Sequence, residues 1–121
     1  MKFVELDELL KNSDFVSIHI RLSEKTKKLI GKRELNLMKP TAFLINTSRG
    51  EIVDEDALVE TLKSKQIAGA GLDVFKEEPT YNKKLFKLDN VILTPHAAGI
   101  SKDAIIKMDK KIAKDIFKFL K

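Results

Sequence analysis

The chain has 121 residues, enough for one domain whose core needs no metal or disulfide to hold it. Its 23 basic residues outnumber 18 acidic ones, giving a net charge of +5, but nearly all are lysines interleaved with acids, so a solvated surface is expected and no nucleic-acid partner. With no cysteine and no apolar run near the roughly 20 residues of a membrane span, disulfides, thiolate chemistry and a membrane partner are set aside, and a cytoplasmic protein is expected.

In chain order, Leu6, Leu9 and Leu10 recur at helical spacing, with Asp7 and Glu8 early, which predicts a helix over 5–12. The stretch DFVSIHI predicts a strand over 14–20. A polar loop, RLSEKTKK, follows. A short helix is expected over 32–38, stopped by Pro40. TAFLINT, residues 41–47, is a continuous apolar run of the kind a strand covered on both faces carries. SRGEIV reads as a turn around Gly50. Asp54 is a good N-cap for a helix over 55–65, whose acids and lysines suit its dipole.

Residues 67–74 predict a third strand with little side chain at Gly69, Ala70 and Gly71. A long loop follows, and then a fourth strand over 90–94 that ends at Pro95. A long helix is expected over 101–120, with Ile105, Met108, Ile112, Ile116 and Phe119 on one face and lysines away from it. Strands alternating with helices imply an α/β fold with a parallel sheet. Ligands of such sheets sit beyond the C-terminal ends of the strands. His19, Arg49, Asp73 and His96 all fall at or just after those ends, and this convergence is the strongest sign of a site.

Each candidate has an ordinary alternative. His96 could be a structural histidine; beside a carboxylate such as Glu78 it becomes a tautomer-fixed acid that works near neutral pH. Glu78 could equally be a solvated loop acid. Arg49, with its planar fork, suits a carboxylate ligand, but a packing ion pair would also account for it. Asp73 could be a plain strand-end turn residue. The glycines at 69 and 71 do not make a nucleotide loop, because a third glycine and a following helix are missing. No Walker sequence or serine elbow is present, and with two histidines no metal site is expected.

The segments NTSRGEIVDEDAL, GAGLDVFKEEP and NVILTPHAAG, in this order, resemble the D-isomer-specific 2-hydroxyacid dehydrogenase family. The similarity runs from LDELLKNSDFVSIHI to the last helix. It implies the second half of a Rossmann-like NAD-binding domain, about four strands with flanking helices, and a 101–121 helix that leads back to a substrate domain. By the resemblance, Arg49 binds the carboxylate of a small 2-hydroxy or 2-oxo acid, His96 exchanges a proton with its oxygen, and Glu78 hydrogen-bonds that histidine. Asp73 holds the nicotinamide end, while Thr47, Ser48, Arg49, His96, Ala97, Ala98 and Gly99 line the NAD site, with NADP not excluded. Two departures stand out. Arg21 occupies a position where the family usually has proline, and the GxGxxG turn is not in this sequence. The isolated chain is therefore expected to bind NAD weakly or not at all and to be inactive alone. The bare apolar strand edge from Phe15 to Ile20 is expected to favour a homo-oligomer. Two other readings stay open: a regulatory or interaction module on the same scaffold, and a fragment with no function of its own.

Overall fold

The computed structural model describes residues 2–80 and 82–120. Chain order is α1 (Leu6–Asn12), β1 (Phe15–Ile18), α2 (Lys32–Leu37), β2 (Phe43–Asn46), α3 (Glu55–Lys63), β3 (Gly69–Leu72), β4 (Val91–Leu93) and α4 (Lys102–Phe119), with short 3₁₀ turns at Gly50–Ile52 and Leu85–Lys87. The four strands form one parallel sheet in the order β1-β2-β3-β4. This is the expected α/β architecture.

The two faces of the sheet differ. Val16, Leu44 and Ala70 lie side by side on one face, and Ile18, Asn46 and Leu72 form the next row; all are buried. Leu10, Leu35, Leu58 and Leu62 from α1, α2 and α3 join these rows in one apolar cluster. Burying a side chain of this size contributes about 1.5–3 kcal/mol, so this layer carries most of the stability. The opposite face presents Phe15, Phe43, Ile45 and Ile92, with no helix across it among the described residues; the Phe15 and Phe43 rings stack at 5.5 Å. A run expected to be covered on both faces is thus covered on one.

Several expected boundaries shift. Each strand is shorter than its apolar run, because the chain leaves the sheet where polar residues begin; β1 ends at Ile18, so His19 and Ile20 lie beyond the sheet and the pairing edge is Phe15–Ile18. The first helix begins at Leu6, after Glu5, and Phe3 stands 87% exposed outside it. The turn around Gly50 is a 3₁₀ turn, and Val53 beyond it bridges Ile30 in parallel. Gly50 is required there: a Cβ would sit 2.0 Å from the carbonyl carbon of Phe75. The loop after β3 is not featureless, since Leu85 in its 3₁₀ turn is fully buried; Tyr81 of that loop lies outside the described residues. The helix α4 has its expected apolar stripe, with Ser101 as N-cap, but none of its residues is buried.

Candidate active site

Three loops leave the C-terminal ends of β2, β3 and β4 side by side and carry the candidate residues. After β2, the buried Asn46 shapes the first loop. Its amide donates to the Arg49 carbonyl at 2.9 Å, and its oxygen accepts the Ser48 N–H at 3.1 Å. Ser48 donates its hydroxyl to the carbonyl of Ile20, tying this loop to the end of β1. Arg49 is thereby held outward. Its guanidinium bonds only the Ser48 carbonyl, at 2.7 Å, and it makes no ion pair among the described residues. Thr47 is exposed beside it. His19 accompanies Arg49 rather than His96: its ring meets Ser17 Oγ at 2.8 Å, and both line a shallow cleft of about 350 Å³ with Arg21 and Ser48.

The loop after β3 folds back on itself. Glu78 Oε1 accepts the Phe75 N–H at 3.0 Å, and Glu78 Oε2 meets His96 Nδ1 at 2.7 Å. The bond to His96, then the Phe75 N–H, and last the charge of Arg49 hold the Glu78 carboxyl below its ordinary range against the opposing effect of burial. An ionised carboxylate only accepts hydrogen bonds, so Nδ1 carries the proton and Nε2 is the ring's exchangeable site. Glu78 and His96 border an open cleft of about 520 Å³ whose other walls include Phe75, Phe86, Leu93 and Pro95.

The third loop is set by Asp73. Its carboxylate is 3% exposed and accepts from Thr94 Oγ1, Ala97 N and Ala98 N. His96 itself adopts a left-handed backbone, φ 54°. Glu78 and His96 are thus brought into contact, Arg49 stands at the adjacent strand end within electrostatic reach of Glu78, and Asp73 lies beneath both loops. Asn46 and Thr94 were missed by sequence reasoning; a polar residue closing an apolar strand is the signal that marks each. Gly99 has open space around it. Among the described residues, no group of three acidic or histidine side chains is placed to hold a metal ion, and no helix is long and apolar enough to cross a membrane.

A four-stranded parallel sheet with flanking helices, and clefts at the carboxyl ends of its strands bordered by a histidine–carboxylate pair and an arginine, is a Rossmann-like α/β fold. Residues 1–98 match the family model described as D-isomer specific 2-hydroxyacid dehydrogenase, NAD binding domain, and the chain belongs to that family. It is 52% identical over 120 residues to a glyoxylate reductase of Thermococcus litoralis, covering 99% of this chain and 36% of that protein. A glyoxylate reductase of Pyrococcus horikoshii is also 52% identical, over 118 residues, covering 98% of this chain and 35% of that protein. Among solved structures, the NAD-complexed D-isomer specific 2-hydroxyacid dehydrogenase of Lactobacillus delbrueckii ssp. bulgaricus superposes with a TM-score of 0.91 at 35% identity, over 98% of this chain and 40% of that one. An acyclic imino acid reductase in complex with NADPH and D-Arg gives 0.89 at 39% identity, over 97% of this chain and 38% of that one. The chain therefore spans little more than a third of the length of its relatives.

Proposed function

We propose that this chain supplies the catalytic half of the coenzyme domain of an NAD-dependent oxidoreductase that interconverts a small 2-hydroxy acid and its 2-oxo acid. The carrying observation is the Glu78–His96 contact at 2.7 Å, with Arg49, which makes no ion pair among the described residues, at the adjacent strand end. Arg49 takes the substrate carboxylate and sets the C2–O bond before the histidine. NAD, when bound, would supply the hydride acceptor. His96 Nε2 removes the substrate's hydroxyl proton in one direction and returns a proton to its oxygen in the other. Glu78 keeps the ring in the tautomer this requires. Thr47, Ser48 and the segment Ala97–Gly99 line the coenzyme cleft, with Asp73 beneath them. The fit is partial but consistent: the cleft beside Arg49 is polar and cationic, as an anionic dinucleotide requires, and the open space at Gly99 lets a ligand approach backbone. The same cleft would accept NAD or NADP, because the residues that separate them are not among these loops.

The same proposal places α4 as the helix leading back to a substrate domain, which agrees with its lying beyond the family match at residue 98. It also includes a cytoplasmic location and a homo-oligomer that covers the Phe15–Ile18 edge. Alone, the 121-residue chain is expected to bind NAD weakly or not at all; calorimetry that finds micromolar affinity would overturn this. In a full-length chain carrying this segment, His96→Ala should lower kcat by about 10²–10⁴-fold with NAD affinity nearly unchanged. Arg49→Ala should raise the substrate KM and lower kcat together. Parental turnover by His96→Ala would end the acid/base assignment. One observation favours a second reading, a non-catalytic interaction module: the apolar stripe of α4 has no cover. That reading predicts no loss of function in either variant.

A further inference from the structure

Four hydrogen bonds run from the strand-end residue Asp73 to one short segment, and all land within 94–98. Thr94 Oγ1 donates to Oδ1 at 2.5 Å, Ala97 N to Oδ1 at 2.8 Å, and Ala98 N to Oδ2 at 2.9 Å. The main-chain carbonyl of Asp73 accepts the His96 N–H at 2.9 Å. At the centre of this segment His96 holds φ 54°, a region that residues with a Cβ enter only when their surroundings impose it. The Ala97 and Ala98 amides have no other acceptor among the described residues. Burial pushes the Asp73 carboxyl up, but the bonds from Thr94, Ala98 and Ala97 outweigh it, so the group stays ionised and its bonds are charge-assisted. The residue is 3% exposed, and both of its oxygens are engaged by the chain.

We propose that Asp73 is a positioning residue, whose carboxylate clamps the turn at 94–98 and thereby keeps His96 in the left-handed conformation that brings its ring to Glu78. This rests on the reading of Glu78 and His96 as the acid/base pair. It gives Asp73 a role through His96, whatever else its carboxylate touches. Asp73→Asn keeps the shape but turns one oxygen into an NH₂ that faces a backbone N–H, so one bond is lost and a donor–donor clash replaces it.

The test is NMR on the 121-residue chain, following the Glu78 carboxyl carbon through an acid titration and the His96 amide–Hα coupling and Cα shift. In the parent, Glu78 should titrate below the ordinary carboxylate range and His96 should carry the signature of positive φ. In Asp73→Asn, Glu78 should return to the ordinary range and His96 should lose that signature, while β1 and β2 resonances persist. Thr94→Val, which removes one donor and keeps the side-chain shape, should shift both readouts the same way by less; it decides the matter if Asp73→Asn does not fold. Folded variants with both readouts unchanged would overturn the clamp. So would a full-length Asp73→Asn that weakens NAD binding while Glu78 and His96 stay as in the parent, since that is the behaviour of a direct coenzyme contact. Should Glu78 titrate normally already in the parent, the pair reading fails instead, and the His96 backbone signature alone decides the clamp.

Discussion

Asn46 and Asp73 stand at the ends of adjacent strands, both buried and both bonded to loop backbone, with the Asp73 N–H donating to the Asn46 carbonyl at 3.0 Å. One is an amide and the other a carboxylate for a physical reason. The Asn46 side chain must donate to one group and accept from another, whereas the Asp73 side chain only accepts. The carboxyls of Asp73 and Glu78 are both held below their ordinary range. A carboxyl depressed by folding adds stability that is present above its unfolded value, about pH 4, and is lost as pH falls through the lower folded value. Urea midpoints measured at successively lower pH should therefore hold down to that point and then fall, and Glu78→Gln should flatten part of the fall. A midpoint independent of pH in acid would contradict both shifts. At this scale the Glu78–His96 contact is one that residue types and spacing left open beside ordinary alternatives, and the resemblance singled it out. Asn46 and Thr94 were not picked out, since neither the bonds of Asn46 to nearby backbone nor that of Thr94 to the Asp73 carboxylate leaves a periodic trace.

At the scale of elements, α3 ends in a turn where the Lys65 N–H bonds the Leu62 carbonyl and the Gln66 N–H bonds the Thr61 carbonyl. Lys65 has φ 56° there, where a glycine would be free of Cβ crowding. Lys65→Gly should stabilise the chain by up to about 1 kcal/mol, read as a thermal midpoint a few degrees higher. Gly50→Ala tests the opposite case. Its Cβ would fall 2.0 Å from Phe75 backbone, and we expect a loss of about 1–3 kcal/mol in denaturant titration, with Arg49 moved away from Glu78. The helices were legible through their spacing, caps and stops, the Asp54 cap included: its carboxylate accepts the Ala57 N–H at 3.3 Å. Strand lengths were not, because apolar residues such as Ala42, Ile67 and Ala68 precede the first ladder residue; nor were the two 3₁₀ turns, which are too short to show a period.

For the molecule as a whole, the dominant fact is a sheet covered on one face only. Phe15 and Ile92 remain largely exposed, Phe43 and the apolar stripe of α4 in good part. Exposed apolar area of this kind calls for a partner surface. Light scattering on the 121-residue chain should show mass growing with concentration, and Phe15→Lys at the β1 edge should reduce it; a strict monomer at high concentration would remove the oligomer from the proposal. The α/β class was readable from strand–helix alternation alone. Which face lies bare was not, since helices and apolar runs do not announce the side on which they pack.

The bonds from Asp73 to Ala97 and Ala98 span 24 and 25 residues of chain, whereas the bonds of α2 and α3 close over a few. Closing so long a span requires β4 to have docked beside β3. Helical bonds that close over a few residues need no such docking, whereas the Glu78–His96 contact does. In a molecule opened at β4 alone, that contact would be lost while the helical layer stayed intact, before any loss of helix visible by circular dichroism.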